Sequence, residues 1–112
     1  MSRITCSRLS KKVTSAQEAT SHINDGDCVG MSGFTGAGYP KAVPAALAEK
    51  AKAAHGRGED FGIELLTGAS TAPELDGVLA EAQAVTKRLP FQSDPAMRKA
   101  INTGETEYVD TH

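Results

Sequence analysis

The chain has 112 residues and a formal net charge of −2; 39% of its residues are apolar and 4% are aromatic. This length allows one domain with a modest core. The charge gives no basic surface for nucleic acid, and no apolar run reaches membrane-spanning length, so neither nucleic acid nor membrane is an expected partner.

Residues 1–14 begin the chain and predict an exposed arm. They contain several basic residues and serines, and no acidic residue occurs before Glu18. This composition faintly resembles a mitochondrial transit peptide. An exposed arm is the simpler interpretation, so the cytoplasm is the expected location.

The next segments alternate between helix and strand. Ser15, followed three residues later by Glu18, predicts a capped helix start. The first predicted strand runs from Cys28 to Met31 and is followed by a glycine-rich loop. Two cysteines give no disulfide framework, and Cys28 is expected to be a small buried side chain. A second helix is predicted from about Ala42 to Ala54.

The second half repeats this alternation. The predicted elements are a strand at 61–67, a helix at 73–82, a strand at 84–89, a helix that Asp94 caps and Gly104 ends, and a strand beginning at 107–110. The polar centre of the third strand, Thr86-Lys87-Arg88, indicates an exposed or edge strand. The order βαβαβαβ predicts an α/β fold with a parallel sheet and right-handed crossovers.

The glycine-rich loop is the most informative stretch. Gly33, Gly36 and Gly38 give the spacing G-x-x-G-x-G. This spacing differs from the dinucleotide-binding loop G-x-G-x-x-G, and no Gly-Lys-Ser/Thr follows, as the other common phosphate loop requires. Between a strand and a helix, glycines let the backbone approach a ligand, and the helix N–H groups attract anions. A tight connection that merely needs glycine explains the spacing equally well. The spacing alone leaves both interpretations open.

Ligands of open parallel sheets bind beyond the carboxyl ends of the strands. Three stretches follow predicted strands: Gly33–Gly38, Gly68–Thr71 and Phe91–Asp94. We therefore expect Ser70 and Ser93 to lie near the glycine loop. Hydroxyl and N–H groups suit a small carboxylate or a thioester carbonyl, because they donate hydrogen bonds without a further full charge. For Ser70 the alternative is a turn or helix cap.

Four stretches, in order, carry a resemblance to a known family. They are SGFTGAGYPK at 32–41, LLTGAST at 65–71, PFQSDPAMR at 90–98 and INTGE at 101–105. They resemble the acetyl-CoA hydrolase/transferase family of class I CoA-transferases, which includes the succinyl-CoA:acetate CoA-transferases. The resemblance implies a Rossmann-like, NagB/RpiA-like parallel α/β fold. It also implies that residues 1–112 are the first part of the family's N-terminal domain.

The resemblance further implies an enzyme of acetate metabolism. Such an enzyme moves CoA, as a substrate, from acetyl-CoA or succinyl-CoA to a small carboxylate, and uses no metal. Its partners would be acyl-CoA, the carboxylate, the remainder of the enzyme chain and further copies in a homo-oligomer. An acyl-CoA hydrolase is one alternative. A non-catalytic anion-binding or structural half that needs a partner chain is another.

The catalytic residue is expected to lie beyond residue 112. Members of the family are several times longer and carry a glutamate nucleophile in their second half, which accepts CoA as a glutamyl thioester. No stretch of this chain resembles that segment. We therefore expect this chain to be incomplete and to be inactive alone.

The resemblance assigns substrate-binding roles to residues of the glycine loop and the two later turns. They are Gly33, Phe34, Thr35, Gly36, Ala37, Gly38, Ser70, Thr71 and Ser93.

Other polar residues are weaker candidates. Lys41 opens a helix, where a cation is mildly unfavourable, so it is a candidate contact for a CoA phosphate or a carboxylate, with solvent exposure as the alternative. Glu105 and Glu107 are interpreted as surface acids, with approach to the site as the alternative. The three histidines are far apart in sequence and predict no metal site.

Overall fold

Four parallel strands form one sheet, in the order in which they occur along the chain. They are β1 (Cys28–Gly30), β2 (Ile63–Leu66), β3 (Val85–Leu89) and β4 (Glu107–Tyr108). The computed structural model describes residues 3–109. The predicted α/β fold with a parallel sheet is confirmed, while the end of the fourth predicted strand, at residue 110, lies outside the described residues.

The first helix, α1 (Ser7–Ser10), is exposed at every residue. The other helices form a single layer. They are α2 (Ala16–Thr20), α3 (Ala42–Gly56), a π-helical turn (Pro73–Gly77) that runs into α4 (Val78–Glu81), and α5 (Pro95–Asn102). α3 packs against α2 and α4, and α4 packs against α5. The shortest dimension of the unit is 19 Å, which accommodates one sheet and one layer of helices about 10 Å in diameter.

Side-chain caps set the beginnings of α2 and α5. Ser15 Oγ accepts a hydrogen bond from the N–H of Glu18 at 3.1 Å. The Asp94 carboxylate accepts two N–H groups from the first turn of α5, at 2.9 and 3.1 Å. Each cap satisfies backbone donors that have no partner inside the helix and stabilises it by about 1 kcal/mol. Gly104, at φ +84°, ends the turn after α5, as the sequence predicts.

The core lies between the helical layer and one face of the sheet. Its fully buried side chains come from α3, β2, the π-helical turn, α4 and α5, and they include Leu47, Ala51, Ile63, Leu65, Leu75, Leu79 and Met97. Most of these are the large apolar residues of a sequence otherwise rich in alanine.

The opposite face of the sheet is uncovered within residues 3–109. Cys28 and Gly30 of β1 are exposed, and Leu66 of β2 is 37% exposed. Successive residues of a strand point to opposite faces, and these three point away from the helices. The expectation that Cys28 is buried is therefore wrong: its strand is apolar, but its own side chain lies on the uncovered face.

β3 is an interior strand, so the expectation of an edge strand is wrong. It pairs with β2 on one side and with β4 on the other. Thr86 is exposed, but Arg88 is fully buried. Its guanidinium Nε lies 2.7 Å from a carboxylate oxygen of Asp76, which is also fully buried. Pairing of this kind is what allows an arginine to leave water.

Candidate functional site

The loops that follow β1, β2 and β3 lie together at the carboxyl-end edge of the sheet. The N–H of Thr35 donates to the carbonyl oxygen of Ala69 at 2.7 Å, which joins the first loop to the second. Ser70 Oγ lies 2.6 Å from Ser93 Oγ, which joins the second loop to the third. The structure thus places the glycine loop and both serines in one contiguous surface.

The glycine loop is closed at its base and folded at its tip. Ser32 Oγ donates to the carbonyl oxygen of Gly38 at 2.7 Å. At the tip, Phe34 and Ala37 exchange two backbone hydrogen bonds of 3.0 and 3.1 Å. Thr35 takes a left-handed conformation there, at φ +52°. The tip is therefore a defined turn rather than a flexible connection.

Gly33 and Gly68 allow the first two loops to pack together. A Cβ on Gly68 would lie 2.1 Å from the carbonyl oxygen of Gly33. A Cβ on Gly33 would lie 2.8 Å from Thr71 Cγ2, and Gly33 has φ +153°. Gly38 needs glycine for its backbone, at φ +75°. For these positions, the tight connection explains the residue type.

Gly36 differs from the other glycines of the loop. Its φ lies outside the left-handed region, and a Cβ there would meet no atom within 4 Å. Its N–H makes no hydrogen bond to another residue in the described part of the chain. Folding therefore gives no reason for glycine at the tip, whereas close approach of a ligand does.

The two serines occupy different positions relative to solvent. Ser70 is buried, with 2% of its surface exposed, and has a left-handed backbone at φ +71°. Its Oγ accepts the N–H of Ser93 at 3.0 Å and lies 3.1 Å from the carbonyl oxygen of Thr71. Ser93 is exposed. Ser93 thus lies at the surface, and its hydroxyl is hydrogen-bonded to the buried Ser70 beneath it.

Thr71 is buried, and its polar groups are hydrogen-bonded within the protein. It is 3% exposed, and both its N–H and its hydroxyl donate to Asp76 Oδ2, at 3.2 and 2.5 Å. By contrast, Phe34 is 66% exposed and Phe91 is 55% exposed. These two aromatic side chains belong to the first and third loops and add apolar surface at the carboxyl-end edge of the sheet.

A polar cluster lies beside the glycine loop. The Tyr39 hydroxyl donates to Glu74 Oε2 at 2.8 Å, and Lys41 Nζ lies 4.1 Å from the centre of the Tyr39 ring. The hydrogen bond from Tyr39 holds the pKa of Glu74 below its usual range, and the charge of Lys41 adds to this shift. The same hydrogen bond raises the pKa of Tyr39. Lys41 precedes α3, and its side chain makes no capping hydrogen bond in the described part of the chain.

The weaker acidic candidates lie elsewhere. Glu105 and Glu107 flank Thr106, whose hydroxyl donates to the carbonyl oxygen of Val85 at 2.8 Å, where β3 begins. This contact places them at the amino-end edge of the sheet, opposite the loops. Glu105 lines a shallow cavity of about 210 Å³ there, with Glu81 and Lys99.

The histidines are also far from one another. His22 is exposed in the turn after α2, His55 Nε2 lies 3.0 Å from the carbonyl oxygen of Phe61, and His112 lies outside the described residues. Within residues 3–109, no three His, Cys, Asp or Glu side chains are grouped to hold a metal ion.

The sequence does not predict the surroundings of some residues near the loops. The sequence gives no signal for Asp76, and Arg88 belongs to a polar run that predicts exposure, because nothing in the spacing reveals a partner twelve residues away. Gln92 lies between Phe91 and Ser93, and its Oε1 is buried with no hydrogen-bond partner in the described part of the chain. No local pattern distinguishes such an amide from a solvated one.

Comparison with known proteins identifies relatives over nearly the whole chain. The family model described as acetyl-CoA hydrolase/transferase N-terminal domain matches residues 3–112. A succinyl-CoA:acetate CoA-transferase of Clostridium kluyveri is 43% identical over 110 residues, which are 98% of this chain and 20% of that protein. A propanoyl-CoA:succinate CoA transferase of Escherichia coli is 45% identical over 97 residues, 87% of this chain and 20% of the relative.

A more distant group of relatives bears a different name. An acetyl-CoA hydrolase of Schizosaccharomyces pombe is 36% identical over 112 residues, 99% of this chain and 21% of the relative. The chain therefore spans about a fifth of the length of these relatives. Among residues 3–109, no helix is long and apolar enough to cross a membrane.

Proposed function

This chain belongs to the acetyl-CoA hydrolase/transferase family, and we propose on that premise that it is the N-terminal region of a CoA-transferase. The enzyme moves CoA from an acyl-CoA, such as acetyl-CoA or succinyl-CoA, to a small carboxylate such as acetate. The observation that carries this proposal is the junction of three loops at the carboxyl-end edge of the sheet. There Gly36 and Ser93 are exposed, and the N–H of Gly36 makes no hydrogen bond to another residue in the described part of the chain.

The role of this edge is to bind the acyl carbonyl or the acceptor carboxylate. The hydroxyl of Ser93 and the N–H of Gly36 are neutral donors, so they stabilise negative charge on oxygen without a positive charge that would hold the product. For Ser93 to donate to a substrate oxygen, the hydroxyl of Ser70 donates its proton to Ser93 Oγ, in place of the carbonyl oxygen of Thr71. Because Ser70 accepts the N–H of Ser93, it fixes the exposed hydroxyl in place. The exposed rings of Phe34 and Phe91 supply apolar contact for the acyl or pantetheine part of the substrate.

The covalent step belongs to the remainder of the enzyme in this proposal. A glutamate outside this chain takes CoA from the acyl-CoA as a glutamyl thioester, and the first carboxylate leaves. The acceptor carboxylate then takes CoA from that thioester, which regenerates the glutamate. The loop edge of this chain holds the carboxyl groups that enter and leave.

Hydrolysis is the alternative, since relatives of both names resemble the chain. In transfer, the acceptor carboxylate takes CoA from the glutamyl thioester. In hydrolysis, water attacks the thioester carbonyl and CoA leaves as the free thiol. Assays with acetyl-CoA and succinate separate them. A transferase forms succinyl-CoA in proportion to succinate, whereas a hydrolase releases free CoA at a rate independent of succinate.

The experiment that tests the proposal traps the thioester. The full-length protein and the 112-residue chain are each incubated with acyl-CoA, reduced with borohydride and mapped by mass spectrometry. We expect a reduced glutamate in the full-length protein, outside residues 1–112, and no adduct or activity in the 112-residue chain. An adduct on a glutamate of this chain would contradict the assignment. CoA transfer without any trapped glutamate would contradict the covalent step.

A further inference from the structure

A buried ionic network lies directly beneath the loop that carries Ser70. Asp76 Oδ1 accepts Arg88 Nε at 2.7 Å, and Asp76 Oδ2 accepts Arg88 Nη2 at 2.9 Å, so the pair is bidentate. Both side chains have no exposed surface. Arg88 Nη2 also donates to Thr67 Oγ1 at 2.8 Å, and Nη1 donates to the carbonyl oxygen of Leu89.

The network forms hydrogen bonds with both ends of the second loop, at Thr67 and at Thr71. Thr67 follows β2 and binds Arg88, while Thr71 binds Asp76 through its N–H and its hydroxyl. The N–H of Asp76 returns a hydrogen bond to Thr71 Oγ1 at 3.2 Å. Only Gly68, Ala69 and Ser70 remain between the two fixed threonines, and Ser70 holds its left-handed conformation within this short span.

The local backbone is adapted to this arrangement. Asp76 lies in the π-helical turn, in which the N–H of Gly77 donates to the carbonyl oxygen of Ala72 at 3.4 Å. Turns of this kind are rare and occur frequently at functional sites. Gly77 also fits closely under α5, because a Cβ there would lie 3.1 Å from an Asp94 oxygen.

Stability alone does not explain a fully buried pair. Removing two charges from water carries a large desolvation penalty, and well-packed neutral side chains often replace such a pair without loss of stability. What the pair supplies here is a fixed direction: charge-assisted, bidentate hydrogen bonds hold donors and acceptors in a narrow range of geometry.

We propose that Asp76 and Arg88 are positioning residues, which hold the Thr67–Thr71 loop so that Ser70 supports the hydroxyl of Ser93. The inference deepens the proposed function and rests on it for the readout in activity. Neither residue touches substrate. Their effect on the reaction passes through Ser70, whose Oγ is the acceptor for the N–H of Ser93.

The test compares a charge-removing double variant with a loss of Ser70 in the full-length enzyme. Asp76→Asn with Arg88→Met removes both charges, so that no unpaired buried charge remains. We expect kcat/KM to fall about 10- to 100-fold, with the melting temperature within a few degrees of wild type. Arg57→Met with Glu59→Gln removes an exposed ion pair of 3.1 Å and serves as the matched control, with kcat/KM unchanged.

A double-mutant cycle shows whether the effect passes through Ser70. If it does, adding the Asp76 and Arg88 changes to Ser70→Ala lowers kcat/KM no further. Losses that multiply overturn the proposal, because the network would then act on folding or on another part of the site.

A crystal structure of the Asp76→Asn, Arg88→Met enzyme gives a readout that is independent of activity. We expect the Ser70 Oγ to Ser93 Oγ distance to exceed hydrogen-bond range. An unchanged Ser70 in that structure overturns the proposal. If Ser70→Ala keeps full kcat/KM, the proposed role of Ser70 in catalysis fails. The positioning proposal is then decided by this structure alone.

Discussion

Adding a side chain at Gly36 is expected to damage catalysis while leaving the fold intact. A Cβ on Gly36 meets no atom within 4 Å, and the backbone conformation is open to other residues. Gly36→Ala is therefore expected to leave the free energy of unfolding unchanged or to raise it by about 0.4–1 kcal/mol, since alanine restricts the unfolded chain. If a substrate oxygen approaches the N–H of Gly36, the added methyl group occupies the approach path. Gly36→Val blocks it more fully.

The assay is a comparison of kcat/KM with melting temperature in the full-length enzyme. Because the ligand must withdraw from its hydrogen bond, we expect Gly36→Val to lower kcat/KM about 10- to 100-fold, corresponding to the loss of one or two hydrogen bonds. Gly56→Ala is the matched control for an open position remote from the loops. Its kcat/KM should stay at the wild-type level, and its melting temperature should stay the same or rise slightly, because Gly56 lies in α3.

A second control separates packing from ligand approach. Gly68→Ala places a Cβ 2.1 Å from the carbonyl oxygen of Gly33, so it should lower the melting temperature and reduce the yield of folded enzyme. Full kcat/KM in Gly36→Val would refute the reasoning about ligand approach. A melting temperature for Gly36→Ala as low as that of Gly68→Ala would show that the tip glycine is structural after all.

Three further outcomes are expected. Ser93→Ala should lower kcat/KM about 5- to 150-fold without lowering the melting temperature. Ser70→Ala should lower both kcat/KM and the melting temperature, because it also leaves the N–H of Ser93 without its acceptor. Equal kcat/KM in Ser93→Ala and wild type would exclude Ser93 from the substrate-binding site. Tyr39→Phe should raise the pKa of Glu74, measured by NMR titration of its carboxyl carbon, because the hydrogen bond that lowers this pKa is lost. The stability that Glu74 contributes is present above its unfolded-state pKa and is lost as pH falls through its lowered folded pKa, so the variant should lose part of this stability. An unmoved pKa would contradict the assigned cause. The 112-residue chain alone should self-associate through its uncovered sheet face in light scattering, and a monomer with a sharp cooperative melt over a wide concentration range would count against this.

The fold was predictable because local signals agree with it. Ser15 and Asp94 cap the helices that the sequence assigns to them, and Gly104 ends the turn after α5. The alternation of strand and helix sufficed for a parallel sheet, and the rule that ligands bind at carboxyl ends identified the correct loops as neighbours. These signals depend on short-range chemistry, which a single sequence records directly.

The errors concern long-range pairing and the direction of side chains. Arg88 looks exposed in the sequence because three polar residues follow one another, but its charge is neutralised by Asp76 on a different element. Cys28 looks buried because its neighbours are apolar, but its side chain lies on the uncovered face. Which face of a strand is covered depends on tertiary packing, and no local pattern states it.

For the proposed site, the sequence gives candidate residues and leaves their roles open. The sequence treats Gly33, Gly36 and Gly38 alike, whereas the structure gives packing or backbone reasons for two of them and none for Gly36. The resemblance assigns substrate-binding roles to Ser70 and Ser93 alike. Their exposure favours Ser93 as the direct contact, with Ser70 behind it.

Hydrogen–deuterium exchange of the full-length enzyme with acyl-CoA and its carboxylate acceptor tests the central claim most directly. The claim is that the loops after β1, β2 and β3 form the substrate-binding edge contributed by this chain. The account predicts slower exchange in segments 32–38, 67–71 and 91–94, with no change at 103–107 on the opposite edge. Unchanged exchange in the three loops, at a ligand concentration that saturates the enzyme, would contradict it.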